Sequence, residues 1–315
     1  MNERKNVIES SRARARRRQW CSLAPLNVPS RHSIARSATT TRTMGDIGRP
    51  ARVQLIVNAA VASKCADVAL AAGGAPVMGC TTAEEARECA SKVDVTLLNF
   101  GTPTTEEIAN AVVDARAVVV DPVGAGLGTR GGVIERWLTR RRAATRAARA
   151  EGDDGYKTWV KGNRSEMEAL VRMFFPDREG FTLGAEVSAT PESVESAESA
   201  SAAQPAETVL RELAMELDME IVCTGRTDFV VGKDEEGYVL KYAGDDDDVV
   251  TFGRFSGAGC CLGAVLAVKA ASGIEPGVVL KEYRVHGKRA EAKSNGPGSF
   301  QVNFLDELCN AGTSS

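Results

Sequence analysis

Beyond Arg52 short apolar runs alternate with longer amphipathic stretches. VQLIV, APVMG, VDVTLLNFG, AVVVDPVG and MEIVCTG have the length and β-branched content of buried strands, and APVMG is expected to be a short buried one. Between them, Val61–Ala72 reads as an Ala-rich helix that stops at Gly73-Gly74. TTAEEARECASK has the Thr-x-x-Glu spacing of a capping box, so Thr81 or Thr82 should start a helix. TPTTEEIANAVVDA is a third helix and Glu207–Leu217 a later one. DFVVG and GYVLKYAG are short strand-like pieces, and from Gly257 to about Lys293 the pattern is helical. Strand, helix and strand at this pitch predict an α/β fold: a mostly parallel central sheet with helices on both faces.

Two stretches break the rhythm. TRRRAATRAARAEGDDGYK is strongly basic and predicts an overlong, exposed helix end. Asp177–Ala206 is acidic and of low complexity, which predicts an inserted disordered segment. The block Asp245–Asp248 predicts a solvated hairpin tip, because a calcium loop needs interleaved ligands.

Charge divides the chain. The net charge is -3, yet residues 1–50 hold eleven basic side chains against three acidic ones. From Ser10 to Gly45 there are eight arginines and no Asp or Glu. An Arg-rich, Ser-rich, acid-poor leader has the composition of an organellar transit peptide, with a plastid favoured over a mitochondrion. A disordered basic tail, which would leave the protein cytoplasmic, and an RNA-binding arm are the alternatives; the last lacks aromatic platforms. One domain is expected over residues 51–312. Its acidic surface excludes nucleic acid as a partner, and no run of about 18 apolar residues predicts a membrane span. The eight cysteines contain no CxxC pair, which argues against a zinc site or a disulfide framework.

In open α/β sheets ligands bind beyond the carboxyl ends of the strands. Those ends carry Asn99, Asp121, Lys161-Gly162-Asn163 and Thr224-Gly225, and the loop SGAGCCLG precedes a helix. One carboxylate, one cation, small polar groups and a glycine loop suit nucleotide phosphates with Mg²⁺. Gly257 and Gly259 can bring N–H groups to an anion at a helix N-terminus, or can serve only as a tight turn. There is no GxxxxGK[ST] motif. Asn163 and Glu166 stand three apart at a helix start; Glu166 can face the ligand or simply complement the helix dipole. Asp121 before Pro122 can be a turn former or a Mg²⁺ ligand. Cys260 in a first helical turn is expected to have a lowered pKa, fit to take a proton or attack; spacing alone equally admits a packing role. Cys261, about 100° further round the helix, is expected in the core.

With GGAPVM, LLNFGT, DPVGAG, KGNRSEM, CTG, SGAGCCLGA and NGPGSFQVNFLDEL in this order, the chain from about Val53 to Gly312 resembles the hydroxyethylthiazole kinases of thiamine salvage. The resemblance implies a ribokinase-like fold and transfer of phosphate from ATP to the hydroxyl of 4-methyl-5-(2-hydroxyethyl)thiazole. It implies that Cys260 takes the place of the Asp base usual in the wider superfamily. By the same resemblance Met78 and Gly257 contact the thiazole, Lys161, Thr224 and Gly259 contact ATP, Asp121 and Glu166 serve Mg²⁺, and the protein is a homotrimer. The chain departs from the family pattern where Gln54, Ser63 and Asp67 stand for His, Asn and Asn, positions expected to shape the substrate pocket. Lys161 replaces Arg, and Arg226 replaces a frequent Glu. Rival readings are a dehydratase of hydrated nicotinamide cofactors, which would keep Asp in the glycine loop, and a non-catalytic binder of thiazole or nucleotide.

Overall fold

The protein is described by a computed structural model that covers residues 49–78, 80–101, 106–178, 182–183, 205–234, 237–243 and 250–312. Nearly all of the basic leader, the Asp245–Asp248 block and most of the Asp177–Ala206 segment lie outside these residues. No helix among the described residues is long and apolar enough to cross a membrane.

The strands are β1 (Ala51–Ile56), β2 (Gly74–Met78), β3 (Val95–Asn99), β4 (Ala117–Asp121), β5 (Lys157–Asn163), β6 (Glu220–Thr224), β7 (Phe229–Asp234) and β8 (Gly237–Ala243). They form one sheet in the order β2-β1-β3-β4-β5-β6-β7-β8. The pairings from β2 through β6 are parallel, and β7 and β8 add an antiparallel edge. Parallel neighbours need crossovers, and α1 (Ala62–Ala71), α2 (Ala83–Ala90), α3 (Glu106–Ala111), α4 (Gly128–Ala150), α5 (Arg164–Phe174) and α6 (Ala206–Leu217) lie on them. Three further helices, α7 (Ala258–Ala271), α8 (Pro276–Ala292) and α9 (Pro297–Gly312), follow the last strand.

Alternation along the strands sorts the core into two layers. Val119 of β4 packs with α1, α7, α8 and α9, whereas Val118 and Val120 pack with α2 to α6. Both faces of the sheet are therefore buried, which is why its strands read as unbroken apolar runs. Helix α7 is apolar on almost every side because it lies in the core against β1, β3 and β4. Glycine at position 263 permits that approach: a Cβ there would sit 3.2 Å from Leu97 Cδ1.

The structure corrects several expectations. APVMG is an edge strand, not a buried one, and Val77 and Met78 at its end are more than a third exposed. Helix α3 stops at Ala111, short of the predicted end. The long C-terminal helical run is two helices, because Gly273 turns with φ +75° and Pro276 starts α8. The basic segment after Trp137 is the long C-terminal half of α4 and is largely exposed, as expected, but its Arg141 and Thr145 face inward with Trp137. The acidic insertion begins in packed structure, since Leu183 is buried and its N–H donates to Glu168 Oε1 at 2.8 Å.

Candidate active site

Four neighbouring strands, β3 to β6, end in Asn99, Asp121, Asn163 and Thr224. The parallel register lines up Asn99 with Asp121 and Asn163 with Thr224, so these ends share one rim of the sheet. The N-terminus of α7 comes up to the same rim, and with it Cys260.

Asp121 is the centre. It is 0% exposed, and its Oδ2 accepts from Asn99 Nδ2 at 2.9 Å and from Lys161 Nζ at 3.2 Å. Its Oδ1 is buried and has no hydrogen-bond partner among the described residues. A carboxylate oxygen left bare in a low-dielectric interior is costly unless a ligand or cation meets it. Lys161 is 3% exposed. Burial by itself would lower its pKa, but Asp121, Glu166 and Cys260 outweigh burial and raise it, so the ammonium stays charged.

Glu166 closes a capping box on α5: its Oε2 accepts from Asn163 N–H at 2.8 Å, and Asn163 Oδ1 accepts from Glu166 N–H at 3.0 Å. The dipole-partner reading therefore applies to this side chain. Burial and then Asp121 raise its pKa, against Lys161 and the backbone N–H groups of Asn163 and Gly124. The Gly124 bond ties the DPVGAG turn to α5, and Gly124 holds φ +79° in that turn. A Cβ on Gly162 would stand 3.0 Å from Glu166 Oε2, so glycine there lets the carboxylate fold back on the strand end.

The glycine loop is fixed from outside. Lys64 donates to the Ser256 carbonyl at 3.0 Å and lies over the Phe255 ring. Gly257 caps α7 with φ +88°, and any Cβ there would come within 2.6 Å of Val61 Cγ1. Substituting Gly257 would thus deform the loop whatever the loop binds. The Ala258 N–H is taken by the Phe255 carbonyl at 3.1 Å, which narrows the cradle to the first-turn N–H groups of Gly259 and Cys260. A Cβ on Gly259 would lie 3.2 Å from Lys161 Nζ, so the ammonium abuts this helix end.

Cys260 Sγ accepts from Asn99 Nδ2 at 3.3 Å. Its pKa runs against the expectation from the helix dipole: it is raised to about 11, chiefly by burial and then by Asp121, while Lys161 and Asn99 pull the other way. A buried carboxylate beside the thiol outweighs the partial charge of a helix end. Cys260 is accordingly a protonated thiol at neutral pH. Cys261 is in the core, as expected, a free thiol beside that of Cys65.

Thr224 Oγ1 donates to the Gly162 carbonyl at 3.3 Å. The loop after it is pinned by Asp228, which accepts from Gly225 N–H at 3.0 Å and from Arg284 Nε at 2.6 Å. Met78 is not among the clustered groups: it ends the edge strand, 37% exposed and separated from β3 by β1. Gln54 does not line the site either. It is fully buried, donating to Cys80 Sγ and the Ala86 carbonyl and accepting from Thr96 Oγ1. Asn99 is the site residue to which sequence reasoning gave no role. Its strand breaks in Asn-Phe-Gly much as β4 breaks in Asp-Pro-Val-Gly, and its Oδ1, accepting from Gly101 N–H at 2.9 Å, aims the amide N–H groups at Asp121 and Cys260.

Comparison with known proteins identifies the chain's relatives. A family model described as the hydroxyethylthiazole kinase family matches residues 49–312. A hydroxyethylthiazole kinase of Halalkalibacterium halodurans is 30% identical over 270 residues, covering 81% of this chain and 89% of that protein. One of Thermoanaerobacter pseudethanolicus is 27% identical over 274 residues, covering 82% and 89%. The solved hydroxyethylthiazole kinase structure from Pyrococcus horikoshii superposes with a TM-score of 0.57 at 23% identity, over 83% of this chain and 88% of that one.

Proposed function

The chain belongs to the hydroxyethylthiazole kinase family, with its ribokinase-like fold, and from that premise we propose how its residues work. The reaction is ATP-dependent phosphorylation of the hydroxyl of 4-methyl-5-(2-hydroxyethyl)thiazole. The observation that carries the reading is the bare, buried Oδ1 of Asp121 beside the charged Lys161 and the first turn of α7. A carboxylate oxygen without a protein partner, next to Glu166, is a donor set that fits Mg²⁺, which commonly takes one or two carboxylates together with substrate phosphates. When bound there, Mg²⁺ would neutralise charge on the phosphates of ATP.

The chain's own groups supply the rest. Lys161 lies where a transferring phosphoryl group would meet the N–H groups of Gly259 and Cys260, and together these favour the charge that develops on its oxygens. Thr224 and the Asp228–Arg284 pair shape the nucleotide side. The S–H of Cys260 orients the acceptor hydroxyl, with Asn99 fixing the sulfur. Phosphoryl transfer leans on position and electrostatics, so a neutral thiol suffices where relatives use a base. Met78, exposed on an edge strand, would complete the thiazole side at a subunit boundary of a homotrimer. The basic leader would direct the protein to an organelle, which a fluorescent fusion of residues 1–50 tests.

The test of function is ADP release with the thiazole alcohol against hydroxyethyl and hydroxymethyl pyrimidines. Preference for the thiazole is expected. ATP turnover with a pyrimidine alone would overturn the acceptor, and saturable binding of both substrates without ADP release would overturn catalysis.

A further inference from the structure

Two thiols outside the site are arranged as a pair. Cys80 follows the end of β2, and Cys89 is in the last turn of α2; both are partly buried and free. The fully buried amide of Gln54 holds them together. Its Nε2 lies 3.0 Å from Cys80 Sγ and 3.0 Å from the Ala86 carbonyl, which places Cys80 beside the second turn of α2 rather than beyond the helix start. Cys89 is three residues on from Ala86, on the adjoining turn, close enough to Cys80 for the two thiols to interact.

We propose that Cys80 and Cys89 form a dithiol modification site that a small-molecule disulfide, such as oxidised glutathione, closes to an intramolecular bond. The environment divides the roles. Cys80, whose sulfur accepts from Gln54 Nε2 at 3.0 Å, is the sulfur assigned to the first attack. Burial, and then the charge and hydrogen bond of Cys80, push the Cys89 thiol up to about 11, so Cys89 keeps its proton. Cys80 attacks the oxidant, forming a mixed disulfide and expelling one glutathione thiolate. Cys89 then gives up its proton and attacks the Cys80 sulfur, expelling the second. The protein loses two hydrogens and two electrons, and the oxidant leaves as two molecules of glutathione. Side-chain rotation would then bring the two sulfurs to bonding distance.

The experiment treats the full-length protein with oxidised glutathione, blocks the remaining thiols and maps peptides by mass. The expected product links Cys80 to Cys89 and reopens with dithiothreitol. The site is refuted if both thiols stay free at an oxidant concentration that glutathionylates the exposed Cys309, or if Cys80 is found bonded to another cysteine. Cys89→Ser should trap glutathione on Cys80, whereas Cys80→Ser should leave Cys89 unmodified; an adduct on Cys89 instead would overturn the assigned order. Closure would also stiffen the chain just after Met78 and raise KM for the thiazole. That consequence rests on the proposed substrate side of Met78, whereas the bond itself does not.

Discussion

Strands β4 and β5 have a buried cation at each end, and the two are held in opposite ways. At the N-terminal end Arg141 reaches in from α4 and is 0% exposed. Its Nε donates to Thr158 Oγ1 at 2.9 Å, Nη1 to the carbonyls of Val113 and Ala115 at 2.8 and 2.5 Å, and Nη2 to those of Arg116 and Lys157 at 3.3 and 3.0 Å. A guanidinium has five N–H donors, and all are spent on acceptors that cannot leave. Burial lowers its pKa to about 10, although the nearby Tyr156 and Asp114 pull the other way. At the C-terminal end Lys161 meets a single acceptor among the described residues, Asp121 Oδ2, and that carboxylate keeps one oxygen bare. A saturated cation bolts a fold. An unsaturated ion pair invites a ligand, and that contrast separates the structural end of the sheet from the chemical one.

The comparison breaks if both ends respond alike to losing their cation. Lys161→Met should lower kcat/KM by about 10³, the scale of removing a preorganised charge from a phosphoryl-transfer site. It should also destabilise the fold, because Asp121 is left buried and unpaired. Adding Asp121→Asn should restore the urea midpoint but not the turnover. Full turnover per folded molecule in Lys161→Met would show that Lys161 acts only as a counter-ion. Arg141→Met should do the reverse: a loss of about 3 kcal/mol or more in urea unfolding, since several carbonyls lose a buried donor, with kcat per folded molecule unchanged.

Much of the chemical end was legible in the sequence. Asp121 and Thr224 each close a strand whose apolar run is unmistakable, Lys161 lies two residues before the end of another, and adjacent strands must bring their ends together. The structural end was not legible. An Arg-rich stretch reads as solvated because a charge count cannot say which arginine faces inward; the one available sign was the four-residue spacing of Trp137, Arg141 and Thr145, one face of a helix. Gln54 illustrates the same limit from the other side. It stands at a position expected to shape the pocket, yet three hydrogen bonds commit it to the core. The edge position of β2 was hidden too, because strand order depends on crossovers that composition does not encode.

A smaller change sharpens the contrast at the bolted end. Thr158→Val keeps the shape of the side chain and takes one acceptor from Arg141, leaving four. About 1–2 kcal/mol of stability should be lost, less than for Arg141→Met, with turnover untouched. A loss as large as that of Arg141→Met would mean that the hydroxyl, not the set of carbonyls, holds the guanidinium.

The smallest effect is expected at Cys260. The carboxylate that keeps Lys161 charged also keeps this thiol protonated, so the two groups report on Asp121 from opposite sides. A thiol pushed up to about 11 stays neutral from pH 6 to 9, and its thiolate grows tenfold per pH unit through that range. Cys260→Ser should therefore lower kcat by less than about tenfold and leave the pH–rate profile in place. The iodoacetamide rate at Cys260 should still be climbing at pH 10. In Asp121→Asn the like charge is gone, the thiol pKa falls, and the same curve should move to lower pH. A curve that levels off near pH 8 in the unmodified protein would mean that the helix dipole, not Asp121 and burial, governs the sulfur.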